Sequence, residues 1–325
     1  MKAIQFKQYG DYRELQPVEL PQPNPVDGEV LVNMKAAAVN PLDNTVRLGR
    51  FPMATQPPLV LGNEGVGVVT KPGKSSFAVG TRVMMTGVYG IQHDGTWREY
   101  VASPAQDLVP VPDELSDVEA ASVPVAYLTA QLALTTAGGL EQGKTLLIPA
   151  VGGSVGNAAY QLARAQGITQ VITTVGSTAK LEQALMQGYE QVIDLSQEEL
   201  SEGVSRLNDG AGVDVAIDSV GGPITGPALA SLKQGGTLLA LGYPAGPQVS
   251  INLLDLIARI TNMIGFSLFF QPPEAFQDAY QLILRLLKER QIKPLVARTF
   301  SLAEAAEAQQ YLIEERPFGK VVLTI

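Results

Sequence analysis

The residues whose types and spacing best suit chemistry lie in the run Leu146-Leu147-Ile148-Pro149-Ala150-Val151-Gly152-Gly153-Ser154-Val155-Gly156. An apolar stretch leads into small residues spaced Ala150-x-x-Gly153-x-x-Gly156, and a helix-like run with Ala158, Ala159 and Leu162 follows. Small residues let a backbone turn tightly and approach a pyrophosphate, whose charge the N–H groups and dipole of a helix start favour. Ala150, Gly152, Gly153, Ser154, Val155 and Gly156 are therefore assigned to dinucleotide binding. A strand before and a helix after is the context the motif requires. The alternative is a tight strand-to-helix turn that holds no ligand. Gly167 is predicted to stop the helix.

The next strand, Val171-Ile172-Thr173-Thr174-Val175, bears on which nucleotide is bound. NAD sites usually carry an acid at its end, roughly 20 residues past the glycines, for the ribose 2′-hydroxyl. No acidic residue lies between Gly156 and Leu181. Gly176, Ser177, Thr178 and Lys180 instead offer a turn, two hydroxyls and a cation, which suits a 2′-phosphate and argues for NADPH. A solvated first-turn lysine is the other reading of Lys180. Gly242-Tyr243-Pro244 closes a later parallel strand, where ligands sit in such sheets, and makes Tyr243 a candidate 2′-phosphate or substrate contact.

Composition bounds the chemistry. The 325 residues exceed one typical core, so two domains are expected. There is no cysteine and one histidine, His93, which excludes disulfides, thiolate catalysis and a His-rich zinc site. His93 in the polar run His93-Asp94-Gly95 reads as a loop residue sooner than as a general acid. A net charge of −9 gives nucleic acid no basic footprint. No apolar run reaches the roughly 18 residues of a membrane span. The strand-like Ala3-Ile4-Gln5-Phe6 has no signal-peptide character, so a cytoplasmic protein is expected.

Before about Pro112 the chain shows short strand-like runs, Val30 to Met34, Val66 to Val69, Arg82 to Met85 and Trp97 to Val101, broken by Pro and Gly. That texture suits a small β-barrel. Ser116-Asp117-Val118-Glu119 has the form of a capping box, and a helical run is predicted to continue through Ala137. After the glycine turn, strands and helices alternate, which predicts a doubly wound parallel sheet. Helices are predicted from Pro273 to Arg290 and from Leu302 to Glu315, with a last strand, Lys320 to Leu323, returning to the barrel.

This layout resembles the medium-chain dehydrogenase/reductase superfamily, in its zinc-free quinone oxidoreductase (zeta-crystallin-like) branch. The resemblance runs nearly end to end, through Asn40-Pro41-Leu42-Asp43, Gly62-Asn63-Glu64-Gly65-Val66-Gly67-Val68-Val69, Gly95-Thr96-Trp97-Arg98-Glu99-Tyr100-Val101, the glycine turn, Asp218-Ser219-Val220-Gly221-Gly222 and Gly319-Lys320-Val321-Val322-Leu323. It implies an α/β protein with a GroES-like β-barrel catalytic domain over 1–120 and 266–325. A Rossmann domain binding NADP(H) is implied over 121–265. Zinc-dependent relatives carry Cys and His where this chain has Asn40 and Asn63, and neutral amides are poor zinc ligands. No metal is therefore expected.

The implied activity is NADPH-dependent reduction of a small hydrophobic electrophile, a quinone, enone or alkenal. Asn40 and Asp43 are the catalytic candidates: Asn40 as donor to a developing oxyanion or to the nicotinamide ribose, Asp43 as its orienting partner. The plainer readings are a turn-capping Asn40 and an N-cap Asp43. The resemblance adds Asn40, Thr129, Ser219, Val220, Leu241, Gly242, Phe266, Ser267 and Lys320 to the cofactor contacts. A solvated Lys320 and a core Tyr127 are the alternatives at those positions. Glu64, kept without the metal, is expected in a buried ion pair. Leu195 stands where NADPH-dependent relatives often have tyrosine, and Ser154 where many have glycine. Relatives pair through the Rossmann sheet edge, so a homodimer is implied. An enoyl-thioester reductase, with Arg47, Arg50 and Arg298 for carrier phosphates, is the rival enzyme. A crystallin-like or nucleotide-sensing protein is the non-catalytic one.

Overall fold

A computed structural model describes all residues, 1–325, in two compact units: Met1–Val125 with Pro294–Ile325, and Ala126–Lys293.

The first unit is built on one long strand, Glu29–Val39. Its alternate residues Val30, Val32 and Met34 share a face and pack with Val69, Val83, Met85, Val101 and Leu108. Full burial of each such side chain stabilises by about 1.5–3 kcal/mol. One edge of the strand pairs antiparallel with Glu64–Lys71. The other edge is shared: Glu29 to Asn33 pair with Tyr100–Pro104, and Ala36 to Val39 pair with Lys320–Thr324. The predicted return of the C-terminal strand is therefore observed, with Val321 opposite Val39. Pro41 ends the long strand and opens the helix Pro41–Arg47. The strand predicted from Trp97 starts only at Tyr100. Trp97 is fully buried instead, and its indole N–H donates to the Ala38 carbonyl at 3.1 Å.

The second unit is a six-stranded sheet in the order Gln191–Asp194, Gln170–Val175, Thr145–Ile148, Val213–Asp218, Leu232–Ala240, Asn262–Gly265. Every pairing is parallel. By rank this is 3-2-1-4-5-6, with the order reversing beside Thr145–Ile148, where doubly wound sheets bind ligands. Leu147, Ile172, Ile193, Ala216 and Leu238 supply its core with Leu200, Val204 and Leu229 from the covering helices.

The Ser116 capping box forms as expected, but the helix behind it is two helices, Asp117–Ala121 and Pro124–Thr136. Pro124 has no N–H and disfavours helical backbone at the residue before it, which breaks the run. Gly167 stops the helix Ser154–Ala165 at φ 91°. The boundaries expected at 120/121 and 265/266 fall instead at Val125/Ala126 and Lys293/Pro294. The helix Pro273–Lys288 thus belongs to the second unit. Beyond that helix, Gln161 grips the backbone of Lys293 by both ends, accepting its N–H at 2.7 Å and donating to its carbonyl at 3.0 Å.

Candidate active site

The glycine turn of the second unit is shaped by its own backbone and by the neighbouring strand. Ala150 adopts φ 61°, a conformation glycine takes more readily. Its N–H donates to the Thr174 hydroxyl at 2.9 Å, and the N–H of Val151 to the Thr174 carbonyl at 3.1 Å. Gly153 occupies the N-cap of Ser154–Ala165, and no side chain caps that helix. The first-turn N–H groups are thus left for an anion. A Cβ on Gly156 would lie 2.4 Å from the Ala150 carbonyl oxygen and 2.7 Å from that of Pro149, so only glycine fits. Asn157 holds the loop from below, donating to the Val151 carbonyl at 3.1 Å and to the Tyr189 hydroxyl at 2.6 Å. The residues Ala150 to Gly156 therefore form a tight strand-to-helix turn, as the spacing predicts.

Three strand ends bring together most of the other cofactor candidates. Asp218, fully buried, accepts the N–H groups of Val220 and Gly221 at 2.9 Å each and the Thr225 hydroxyl at 2.6 Å. Leu241 donates its N–H to the Asp218 carbonyl at 2.9 Å. Gly242 runs so close to Ser219 that a Cβ there would lie 2.6 Å from the Ser219 carbonyl oxygen. Tyr243 backs onto Gly221 and is 44% exposed. Phe266 extends the last strand with an N–H to the Ala240 carbonyl at 2.9 Å, and Ser267 follows it, half-buried. Thr129 is buried on Pro124–Thr136 and has no hydrogen bond to this group. Tyr127, on the same helix, is also buried, but its hydroxyl accepts from Gln161 at 3.4 Å. Sequence reasoning missed Asp218 as an organiser, although an acid before Ser-Val-Gly-Gly is a turn signal.

At the end of Gln170–Val175, Ser177 caps the helix Thr178–Met186 by accepting the Lys180 N–H. Lys180 is half-buried. The Thr178 hydroxyl, expected to serve a phosphate, donates to Asp194 Oδ2 at 2.7 Å. The acid missing from the second strand is therefore present on the third.

The catalytic candidates of the first unit lie in a buried polar cluster. Register places Lys320 one position beyond the Val321–Val39 pair, beside Asn40. The Lys320 ammonium donates to Asn40 Oδ1 and pairs with Glu64 Oε1, both at 2.6 Å. Asn40 Nδ2 donates to Asn63 Oδ1 at 2.8 Å and to Glu64 Oε1 at 2.9 Å. Glu64 Oε2 accepts the Val125 N–H at 2.7 Å. Asp43 accepts the N–H groups of Asn40 at 2.7 Å and Gly62 at 3.1 Å. All five side chains are at least 95% buried. Burial pushes the Asp43 carboxyl up to about 7, against the lowering pull of its two backbone donors and Lys320.

The cluster corrects several expectations. Both Nδ2–H groups of Asn40 are engaged, so neither is free for an oxyanion in this arrangement. Asn40 occupies the N-cap of Pro41–Arg47, in a capping box with Asp43. Asp43 sits in the first turn and reaches back to hold two backbone N–H groups. Lys320 is not solvated, being 2% exposed, and it is the ion-pair partner expected for Glu64. The cluster does not fit zinc: its candidate ligands are amides already bonded to one another, and an ammonium supplies its cation. Arg47, a candidate for carrier phosphates, is buried. Its guanidinium donates to Gln309 at 2.5 Å, Asn44 at 2.6 Å and the Gly10 carbonyl. Arg50 and Arg298 are exposed.

Residues 26–113 match the model of the alcohol dehydrogenase GroES-like domain, and residues 154–285 that of the zinc-binding dehydrogenase family. A quinone oxidoreductase of Pseudomonas aeruginosa is 33% identical, over 99% of each chain. The quinone oxidoreductase from Thermus thermophilus, solved alone and with NADPH, superimposes at a TM-score of 0.86 with 31% identity over the whole of both chains. An NAD-dependent alcohol dehydrogenase does so at 0.90, again with 31% identity and full coverage of both. On this end-to-end similarity, the chain belongs to the medium-chain dehydrogenase/reductase superfamily, in its quinone oxidoreductase-like branch.

Proposed function

We propose that the chain reduces quinones or α,β-unsaturated carbonyl compounds (enones and alkenals) with NADPH, by direct hydride transfer and without zinc. The observation that carries this reading is the glycine turn, a cradle with uncapped helix N–H groups and no room for a side chain at Gly156. In this reading Gly152, Gly153, Ser154, Val155 and Gly156 hold the pyrophosphate, and Gly176, Ser177 and Lys180 lie toward the 2′-phosphate. Ser219, Val220, Leu241, Gly242, Tyr243, Phe266 and Ser267 line the remainder. When bound, the dihydronicotinamide supplies the hydride.

The chain's own residues must then orient the electrophile, exclude water and meet the charge that builds on its carbonyl oxygen. A metal is not required for this, because no alcohol proton has to be removed. The Lys320 ammonium is matched by Glu64 and bonded to Asn40, which holds Asn40 in place. Asn40, its amide released from Asn63, is proposed as donor to that oxygen or to the nicotinamide ribose, Asp43 as its orienting partner, and water to supply the final proton.

No helix is long and apolar enough to cross a membrane, and a cytoplasmic location is proposed. A homodimer is also proposed, through the sheet edge at Asn262–Gly265, where Met263 and Ile264 are exposed. Loss of dihydronicotinamide absorbance tests the activity. Turnover of NADPH with a quinone or short enone supports the proposal. Turnover only with long enoyl thioesters would move the chain to that reductase class. Nucleotide binding with no turnover of any acceptor would point to a sensing role.

A further inference from the structure

The notable chemistry outside the turn and the buried cluster is a carboxylate delivered one strand over from where dinucleotide folds keep theirs. Val175 ends the second strand of the parallel sheet, and Asp194 is its register partner on the third. Adjacent strands lie about 4.8 Å apart. An acid at Asp194 therefore reaches the same sheet end as one at Val175 would.

The side chain is directed toward that end and fixed there. Asp194 Oδ2 accepts the Thr178 hydroxyl at 2.7 Å, and Oδ1 accepts both the N–H of Ser196 at 2.9 Å and its hydroxyl at 2.7 Å. Burial pushes the carboxyl up, but the hydrogen bonds from Ser196 and Thr178 outweigh it and hold it below the usual range. It is an anion throughout the neutral range. The neighbouring groove, about 600 Å³, has Leu181 and Val192 among its lining residues with Asp194 and Glu198. Arg206 in that groove is paired to Glu198, so its charge is already matched.

We propose that Asp194 is a specificity-determining residue: its carboxylate, bonded to Thr178, blunts the preference for a 2′-phosphate and lets NADH compete with NADPH. This rests on the nucleotide-binding reading of the glycine turn. Lys180 favours the phosphate dianion and Asp194 opposes it, and the Thr178 hydroxyl is directed at Asp194 rather than at the ligand. A like charge one strand spacing, about 4.8 Å, from the 2′-phosphate would change affinity on the order of tenfold. A ribose 2′-hydroxyl carries no charge and can donate to a carboxylate, so NADH does not suffer the same opposition.

Dissociation constants for NADPH and NADH, read by titration of nucleotide fluorescence without any acceptor, test the proposal. The unaltered protein should bind the two within about tenfold of each other. Asp194→Asn keeps Oδ1 as the acceptor for Ser196 and offers Thr178 an amide donor in place of Oδ2, and should tighten NADPH about tenfold while leaving NADH within about twofold. A preference of the unaltered protein for NADPH beyond about a hundredfold would overturn the inference, as would an Asp194→Asn protein whose affinity ratio does not move. The first measurement stands even where the variant fails to fold. Binding of neither nucleotide would instead overturn the cofactor reading, and this inference with it.

Discussion

The glycine turn of the second unit and the Asn40–Lys320 cluster of the first position charge by opposite means. In the turn the working groups are backbone N–H groups, and what matters about the side chains is that they are small. In the cluster the working groups are an ammonium, two carboxylates and two amides, each held by another side chain or by a distant backbone N–H. A backbone site of this kind fails when atoms are added. A side-chain site fails when one partner is removed, because the others remain buried without it. Removal should therefore damage the first unit most, and addition the second.

The sharpest separation of the two is Lys320→Met. It leaves Glu64 fully buried with its countercharge gone, a situation that typically costs about 3–5 kcal/mol. Trp97 is the only tryptophan and is buried in the first unit, so its fluorescence during urea unfolding follows that unit. The transition should move to markedly lower urea. Lys320→Met combined with Glu64→Gln should recover much of the loss, since no unpaired charge then remains. A single variant within about 1 kcal/mol of the unaltered protein would show that the pair is not charged as drawn.

Gly156→Ala should do the reverse. The added methyl meets the carbonyl oxygens of Ala150 and Pro149, which are backbone and cannot swing aside. Overpacking of this kind typically costs about 1–3 kcal/mol. Because the strain falls on the cradle, nucleotide affinity should drop about tenfold or more, with the Trp97 transition unmoved. A shift of that transition as large as the one from Lys320→Met would erase the contrast between the two regions.

The same contrast explains what was legible in the sequence. The turn was readable because its constraints are local: three small residues at fixed spacing, a strand before them and a helix after. The Ser116 cap, the Gly167 stop and the alternation behind the parallel sheet were readable for the same reason. The cluster's residues could be named, but its bonding could not. Lys320 and Asn40 are 280 positions apart, and only the strand register brings them together. Asn40 read as a free donor because nothing near it in the chain accepts from its Nδ2. Thr178 read as a free hydroxyl because Asp194 lies 16 residues on, in another strand. The late return at Pro294 had no local sign, since a helix like Pro273–Lys288 suits either unit until its neighbours are known.

The smallest effect expected is also the most discriminating for the turn. Ala150 holds φ 61°, where an L residue pays roughly 1–2 kcal/mol relative to its right-handed conformation. Ala150→Gly removes that strain but adds freedom to the unfolded chain, roughly 0.5–1 kcal/mol in the opposite sense. The net should be a gain of no more than about 1 kcal/mol in the stability of the second unit. The hydrogen bonds from Ala150 and Val151 to Thr174 involve only backbone donors on the turn side, so the substitution leaves them in place. Nucleotide affinity should stay within about twofold, measured by the same fluorescence titration used for Asp194. If Ala150→Gly weakened binding instead, the methyl group would be holding the cradle in shape, and the turn would depend on a side chain after all, as the cluster does.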